Sequence, residues 1–109
     1  MTIPLPKKTV RGSSSGIAIM AVFDLLGRKW NMRIMWELNG KPLSFRALQQ
    51  QCDGMSPSVL NTRVKQLTEA ELIYTSSEGY KLTDLGESLM STLDPLRDWA
   101  AEWELKLEK

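Results

Sequence analysis

The sequence predicts a mainly α-helical fold with one small β-hairpin, that is, an α+β arrangement. Three observations predict it. Apolar residues recur at intervals of three and four along most of the chain, as they do in amphipathic helices. Serine or threonine stands where several of these helices would begin. Near residue 75, two short runs of strand-favouring residues flank a glycine-containing turn.

The composition fits one ordinary globular domain in a chain of 109 residues, with 42% hydrophobic residues and a net charge of +1. We expect a cytoplasmic protein, because no apolar run could cross a bilayer or serve as a signal peptide. The sequence has no histidine, one cysteine and no glycine-rich phosphate loop. We therefore expect neither an enzyme nor a cofactor or metal site.

The N-terminal residues 1–16 are predicted to form a flexible arm, since proline, glycine and serine leave little apolar surface to bury. Lys7, Lys8 and Arg11 make this arm basic. It is either a solvated tail or an arm that contacts a phosphate or the minor groove of DNA. Residues 17–109 are expected to form the single folded domain.

The first predicted helix runs from Ile17 to Leu26 and is apolar on nearly every face, with Asp24 as its one charged residue. Ten residues are too few to span a membrane, so protein must cover this helix on several sides. A domain of this size has little material to do so, and packing against a partner is the natural remedy. Gly27 is expected to end the helix.

Three further helices are predicted in the middle of the chain. The second runs over residues 29–39, with an inner stripe formed by Trp30, Ile34, Met35 and Leu38. Ser44 is expected to cap a short third helix that ends near residue 51 and is followed by an Asp-Gly turn. Ser56, with proline next to it, should begin a fourth helix that continues to about residue 71.

A hairpin and a long terminal helix complete the predicted fold. Residues 72–76 and 80–82 are the expected strands, with the tight turn at Glu78 and Gly79. Thr83 should cap the last helix, which Pro95 is expected to kink or break near residues 93–94. The apolar stripe of this helix comprises Leu85, Leu89, Leu93, Leu96, Trp99 or Ala100, Trp103 and Leu107.

A short helix, a glycine-containing turn and a longer helix form the pattern typical of a helix-turn-helix, and the hairpin makes it winged. On the longer helix, the side opposite the apolar stripe carries Ser58, Thr62, Lys65 and Glu69, with Asn61 and Gln66 on its shoulders. This side either reads DNA or is an ordinary solvated face. The absence of acidic residues before Glu69 favours DNA, because an acidic side chain would repel phosphate.

Several motifs together resemble the HxlR-type winged helix-turn-helix regulators, which are related to the MarR group. The resemblance covers roughly residues 17–103. It is carried by FDLLGRKW at 23–30, EL at 37–38, SFRAL at 44–48, GMSPSVLNTRVKQL at 54–67 and YKLTDLG at 80–86.

The resemblance implies a homodimeric transcriptional regulator that places the helix from Ser56, about residues 56–71, in the major groove of double-stranded DNA. Dimerisation is expected through the N- and C-terminal helices, at Ile17, Met20, Phe23, Leu96, Trp99 and Trp103. The candidate DNA-binding residues are Arg46, Ser56, Ser58, Asn61, Thr62, Arg63, Lys65 and Lys81. Among these, Arg63 lies beside the apolar stripe, where it suits the flanking DNA backbone or an internal ion pair better than a base.

Two departures from the family pattern qualify these expectations. Ile17 occupies the position where many HxlR-type proteins carry a cysteine that acts as a sensor. Thiol-based sensing at this position is therefore not expected of this chain. Cys52 is interpreted instead as a small buried hydrophobe. The hairpin is also short, which predicts fewer contacts to the DNA backbone. The alternative to DNA binding is a winged-helix module that binds other proteins, which the low net charge and Glu78 would suit.

Overall fold

The computed structural model describes residues 17–108 and confirms a mainly helical fold with a two-stranded antiparallel hairpin. In chain order the elements are α1 (Ala18–Leu26), α2 (Asn31–Leu38), α3 (Phe45–Gln51), α4 (Pro57–Glu69), β1 (Ile73–Ser76), β2 (Gly79–Leu82), α5 (Asp84–Leu93) and α6 (Pro95–Glu108). The arm predicted over residues 1–16 lies outside the described residues.

Three of the helices begin at the hydroxyl residues that the sequence indicates. The side-chain oxygens of Ser44, Ser56 and Thr83 each accept a hydrogen bond from the backbone N–H three residues further on, at 3.1, 3.4 and 3.0 Å. Pro57 follows at the first position of α4, where its missing N–H costs no intrahelical bond. These caps satisfy donors that a helix N-terminus otherwise leaves unpaired.

The start of α2 differs from the prediction by two residues. Trp30 has a left-handed backbone with φ of 81°, so it precedes the helix, although its half-buried ring still packs against the core. Asn31 begins the helix and is fully buried. Its Nδ2 donates to the backbone oxygen of Leu25 at 2.9 Å and thereby joins α2 to the end of α1.

The hydrophobic core lies between α2, α3, α4 and the hairpin. Its fully buried side chains come from all four parts: Ile34, Met35, Leu38, Leu48, Cys52, Leu60, Leu67 and Ile73. Fully burying one large apolar side chain contributes about 1.5–3 kcal/mol. The apolar stripe of α4, which consists of Leu60, Val64 and Leu67, is buried and therefore holds that helix with one side inward and the opposite side at the surface.

The hairpin is short and is tied to the helix-turn-helix. Its register pairs Ile73 with Leu82 at one end and Ser76 with Gly79 at the other. The turn consists of residues 77 and 78, so β2 begins at Gly79, one residue earlier than predicted. A Cβ on Gly79 would lie 2.5 Å from the carbonyl oxygen of Leu43, which forms a β-bridge with the hairpin just before α3.

The terminal helix is broken at Asp94, as Pro95 predicts, into α5 and α6. The inner face of α5 agrees with the prediction only in part: Leu89 and Leu93 pack against the core, but its buried residues are Gly86 and Met90, and Leu85 is 57% exposed. In the single chain, α6 buries none of its residues. Within residues 17–108, the helices all fall short of the length and apolar character that a membrane span requires.

Candidate nucleic-acid interface

The exposed side of α4 brings four of the candidate DNA-binding residues together. Ser58, Asn61, Thr62 and Lys65 are all exposed, whereas the opposite side of the helix is buried. Their spacing of three and four residues places them in one row along the helix. The first turn of α4 has no acidic residue, and with the N–H of Val59 capped by Ser56, the backbone N–H of Ser58 and the positive dipole end are available to an anion.

Hydroxyl groups cluster at the N-terminus of α4. The Oγ atoms of Ser56 and Ser58 lie 3.0 Å apart, within hydrogen-bond distance. Thr62 Oγ1 donates to the backbone oxygen of Ser58, also at 3.0 Å. A hydroxyl oxygen that donates its proton can still accept a hydrogen bond. The arrangement therefore presents acceptors to amino groups on base edges.

Arg63 and Gln66 lie on the side of α4 that other elements cover. Gln66 is only 6% exposed, so the prediction that it sits on the shoulder of the exposed face is wrong. Arg63 is half-buried, and its Nη1 donates to Gln66 Oε1 at 3.1 Å. The structure therefore places Arg63 against its own helix rather than in the exposed row.

The two flanking cations occupy different environments. Arg46 is exposed on α3, whereas Lys81 is half-buried on β2. Glu78 is exposed in the turn of the hairpin, where a carboxylate would repel phosphate. The end of the wing is thus less suited to the DNA backbone than its strands are.

The turn between α3 and α4 is held by Arg33, which is not among the predicted site residues. Arg33 of α2 donates from Nη2 to the backbone oxygen of Gln51 at 2.6 Å and from Nη1 to Asp53 Oδ2 at 3.3 Å. Its Nε donates to Glu37 Oε2 at 2.8 Å, and this bond raises the pKa of Arg33. The partners in the turn are 18 and 20 residues away, beyond any local sequence pattern.

Cys52 ends α3 and is fully buried, in agreement with its interpretation as a small buried hydrophobe. Burial raises the pKa of its thiol because the thiolate would lose its solvation, while the nearby Arg33 partly opposes this. A neutral, enclosed thiol is a poor nucleophile. Cys52 therefore serves packing in this structure.

The residues expected to form a dimer interface are largely uncovered in the single chain. Ile17, Phe23 and Leu96 are each more than half exposed. Trp99 and Trp103 stack on each other with ring centroids 5.7 Å apart. Met20 is half-buried. The groove between α1 and α5, about 350 Å³ in volume, adds further open apolar surface. Large exposed apolar patches on a protein typically mark surfaces that a partner covers.

Comparison with known proteins agrees with this architecture. The model of the HxlR-like helix-turn-helix family matches residues 25–108. An HTH-type transcriptional regulator of Methanocaldococcus jannaschii is 27% identical over 95 residues, which cover 83% of this chain and 90% of that protein. The HTH-type transcriptional regulator YdzF of Bacillus subtilis is 30% identical over 84 residues, covering 70% of this chain and 77% of YdzF.

Solved structures agree as well. The crystal structure of quinone-bound YodB from Bacillus subtilis superimposes with a TM-score of 0.72 at 27% identity, covering 77% of this chain and 96% of that chain. The relatives are named as regulators of transcription, and the family match spans the helix-turn-helix, the hairpin and the C-terminal helices α5 and α6. The chain therefore belongs to the HxlR-like helix-turn-helix family of transcriptional regulators.

Proposed function

We propose that this regulator acts in the cytoplasm as a homodimer and binds double-stranded DNA by inserting α4 into the major groove. The observation that carries the proposal is the exposed row of α4, which is polar or cationic and has no acidic residue before Glu69. A major groove about 12 Å wide admits one α-helix and displays a distinct pattern of donors and acceptors for each base pair.

The residues of α4 are proposed to make different kinds of contact with DNA, some to base edges and some to phosphates. Asn61 offers both a donor and an acceptor and is suited to an adenine edge, and Ser58 and Thr62 offer hydroxyls to neighbouring bases. Lys65 carries a flexible charge suited to phosphate. Ser56, as the cap, fixes the first turn of α4 so that the backbone N–H of Ser58 and the positive dipole end face the DNA.

Three cations outside the exposed row are proposed to support it. Arg46 on α3 and Lys81 on β2 lie on elements that flank α4 in the chain, and each suits a backbone phosphate on its side. Arg63 is proposed to act from the flank, where its contact with Gln66 holds it beside the helix. Phosphate contacts of this kind fix orientation on the duplex without reading sequence.

The homodimer is proposed to form through α1 and α6. Both helices leave large apolar side chains exposed, and α6 has no buried residue of its own. A second copy related by two-fold symmetry would cover the same surfaces on each chain. Two copies of α4 would then lie about 34–36 Å apart and read two half-sites one turn of DNA apart.

The test compares Lys65→Ala with Asn61→Ala on a duplex selected from a random library and on a scrambled duplex of the same composition. Lys65→Ala should weaken binding to both duplexes. It should also reduce the slope of log affinity against log salt concentration by about 0.9 per protomer, because one phosphate contact is lost. Asn61→Ala should weaken binding to the selected duplex only, by about 1–3 kcal/mol for each base contact that is lost.

Lys29→Ala is the matched control, since it removes the same charge from an exposed position between α1 and α2, outside the exposed row and the residues proposed for the dimer. It should leave the affinity for both duplexes near that of the wild type. Equal small losses for Lys65→Ala and Asn61→Ala would contradict the assignment of α4 to the groove. Failure of the wild type to bind any duplex at low salt would favour the protein-binding alternative.

A further inference from the structure

Arg33 connects three parts of the structure that meet beside the recognition helix. It extends from α2, and its guanidinium contacts a carboxylate on the same helix, a carbonyl at the end of α3 and a carboxylate in the following turn. The side chain of Arg33 is 39% exposed and that of Glu37 is 19% exposed. The ion pair with the more buried Glu37 therefore holds the guanidinium of Arg33 at the protein surface. All three of its nitrogens have a partner.

The turn that Arg33 contacts has an unusual backbone. Asp53 and Gly54 are consecutive left-handed residues, with φ of 60° and 69°. Left-handed geometry is unfavourable for a residue with a Cβ, although aspartate and asparagine tolerate it better than most. Backbone hydrogen bonds from Gly54 and Met55 close the turn, and side-chain contacts add to them in keeping this conformation. The turn determines the direction in which α4 leaves α3.

The contacts of Arg33 act on the backbone of this turn at two points. The carbonyl of Gln51 is one of the last of α3, which have no partner within the helix, and a cation there also favours the negative end of the helix dipole. The side chain of Asp53 is 73% exposed, and its ion pair with Arg33 restrains it. On the other side of the turn, Gln49 Nε2 donates to the backbone oxygen of Met55 at 2.8 Å.

We propose that Arg33 is a positioning residue for DNA recognition: it locks the turn between α3 and α4 onto α2 and so sets the angle at which α4 meets the groove. This inference rests on the proposed function of α4. Base contacts require placement within a fraction of an ångström, whereas phosphate contacts tolerate a small rotation. Loosening the turn should therefore reduce discrimination between sequences more than it reduces general affinity for DNA.

The test uses Arg33→Lys, which keeps the positive charge but replaces the planar fork with a single ammonium group. Affinity for the selected duplex should fall about tenfold, the change expected when a charge-assisted hydrogen bond is lost. Affinity for the scrambled duplex and its salt slope should stay at the wild-type values. Hydrogen exchange should accelerate at the amides of Gly54 and Met55, which bond within the turn.

Asp53→Asn is the second variant, and it guards against a folding defect. Asparagine accepts the left-handed backbone, so only the ion pair with Arg33 is lost. We expect a smaller loss of discrimination, about threefold, in line with an exposed ion pair. The double variant should be no worse than Arg33→Lys alone, because both changes break the same contact. Arg28→Lys is the control, because it makes the same substitution at an arginine away from the turn, where Arg28 Nη2 lies 4.0 Å from Asp24 Oδ2.

Each outcome decides the proposal. Loss of discrimination and faster exchange in Arg33→Lys, with dimerisation and the salt slope retained, supports it. Wild-type discrimination in Arg33→Lys overturns the positioning role and leaves the proposed function of α4 standing. Equal losses on both duplexes would identify Arg33 as a general structural residue and also overturn it. If the wild-type protein binds no duplex, the proposed function fails and the positioning role fails with it.

Discussion

Replacing Trp99 with alanine tests the proposed dimer and allows its effect to be worked from the structure. Trp99 and Trp103 stack on α6 and are 55% and 54% exposed in the single chain. A fully buried aromatic side chain covers roughly 150–250 Å², so each ring has about 100 Å² left to bury against a partner. At about 25 cal/mol per Å², this surface is worth about 2.5 kcal/mol for each tryptophan.

Two-fold symmetry doubles the effect, because one substitution removes the ring from both subunits. Trp99→Ala should therefore destabilise the dimer by about 5 kcal/mol and raise its dissociation constant by between three and four orders of magnitude, roughly 4,000-fold. The monomer should fold normally, since Trp99 is exposed and α6 buries none of its residues. Sedimentation velocity over a range of concentrations measures the dissociation constant, and circular dichroism checks the fold.

Tyr74→Ala is the matched control, because Tyr74 is another large exposed aromatic, 42% accessible on β1 of the hairpin. It should leave the dissociation constant unchanged. A dissociation constant for Trp99→Ala within about threefold of the wild type, which is under 1 kcal/mol, would refute the reasoning. So would a wild-type protein that sediments as a folded monomer at micromolar concentration.

Two further predictions concern the core. Gly86→Ala would place a Cβ 2.2 Å from the carbonyl oxygen of Leu72, and since backbone must move, we expect a loss of about 1–3 kcal/mol in urea unfolding; an unchanged midpoint would contradict the close approach. Cys52 should resist thiol reagents until the protein unfolds. Because burial raises its pKa in the folded state, the stability it contributes is present below the ordinary thiol pKa and is lost as the pH rises through the raised value. Wild-type stability should thus fall more steeply than that of Cys52→Ala in alkaline urea titrations, and parallel curves would refute this.

Local sequence signals predicted the order of the elements well, because each rests on short-range physics. The caps at Ser44, Ser56 and Thr83 bond to amides three residues away. The break before Pro95 follows from a missing N–H and a steric clash within one turn. The short hairpin follows from its two-residue turn. In each case the partner atoms are neighbours in the chain, so a local pattern contains the whole interaction.

The errors came from contacts between elements. A helical wheel places Gln66 on a shoulder, yet the rest of the fold covers that side of α4 and leaves Gln66 only 6% exposed. The predicted apolar stripe of the last helix began at Leu85, yet Leu85 is 57% exposed, and the buried neighbour is Gly86, where the carbonyl of Leu72 approaches so closely that only glycine fits. Hydrophobicity describes a residue alone, whereas burial depends on what lies opposite it.

The sequence by itself determined the order of the helices and the hairpin, the starts of the three capped helices, and which side of α4 carries polar residues with no acidic residue before Glu69. Those properties follow from periodicity and capping, which act over a few residues. The tertiary structure decided how α4 is held: Arg33 reaches the α3–α4 turn across 18 to 20 residues, and Arg63 turns toward Gln66. Contacts so distant in the chain depend on how the helices pack, and only the folded chain brings their atoms within bonding distance.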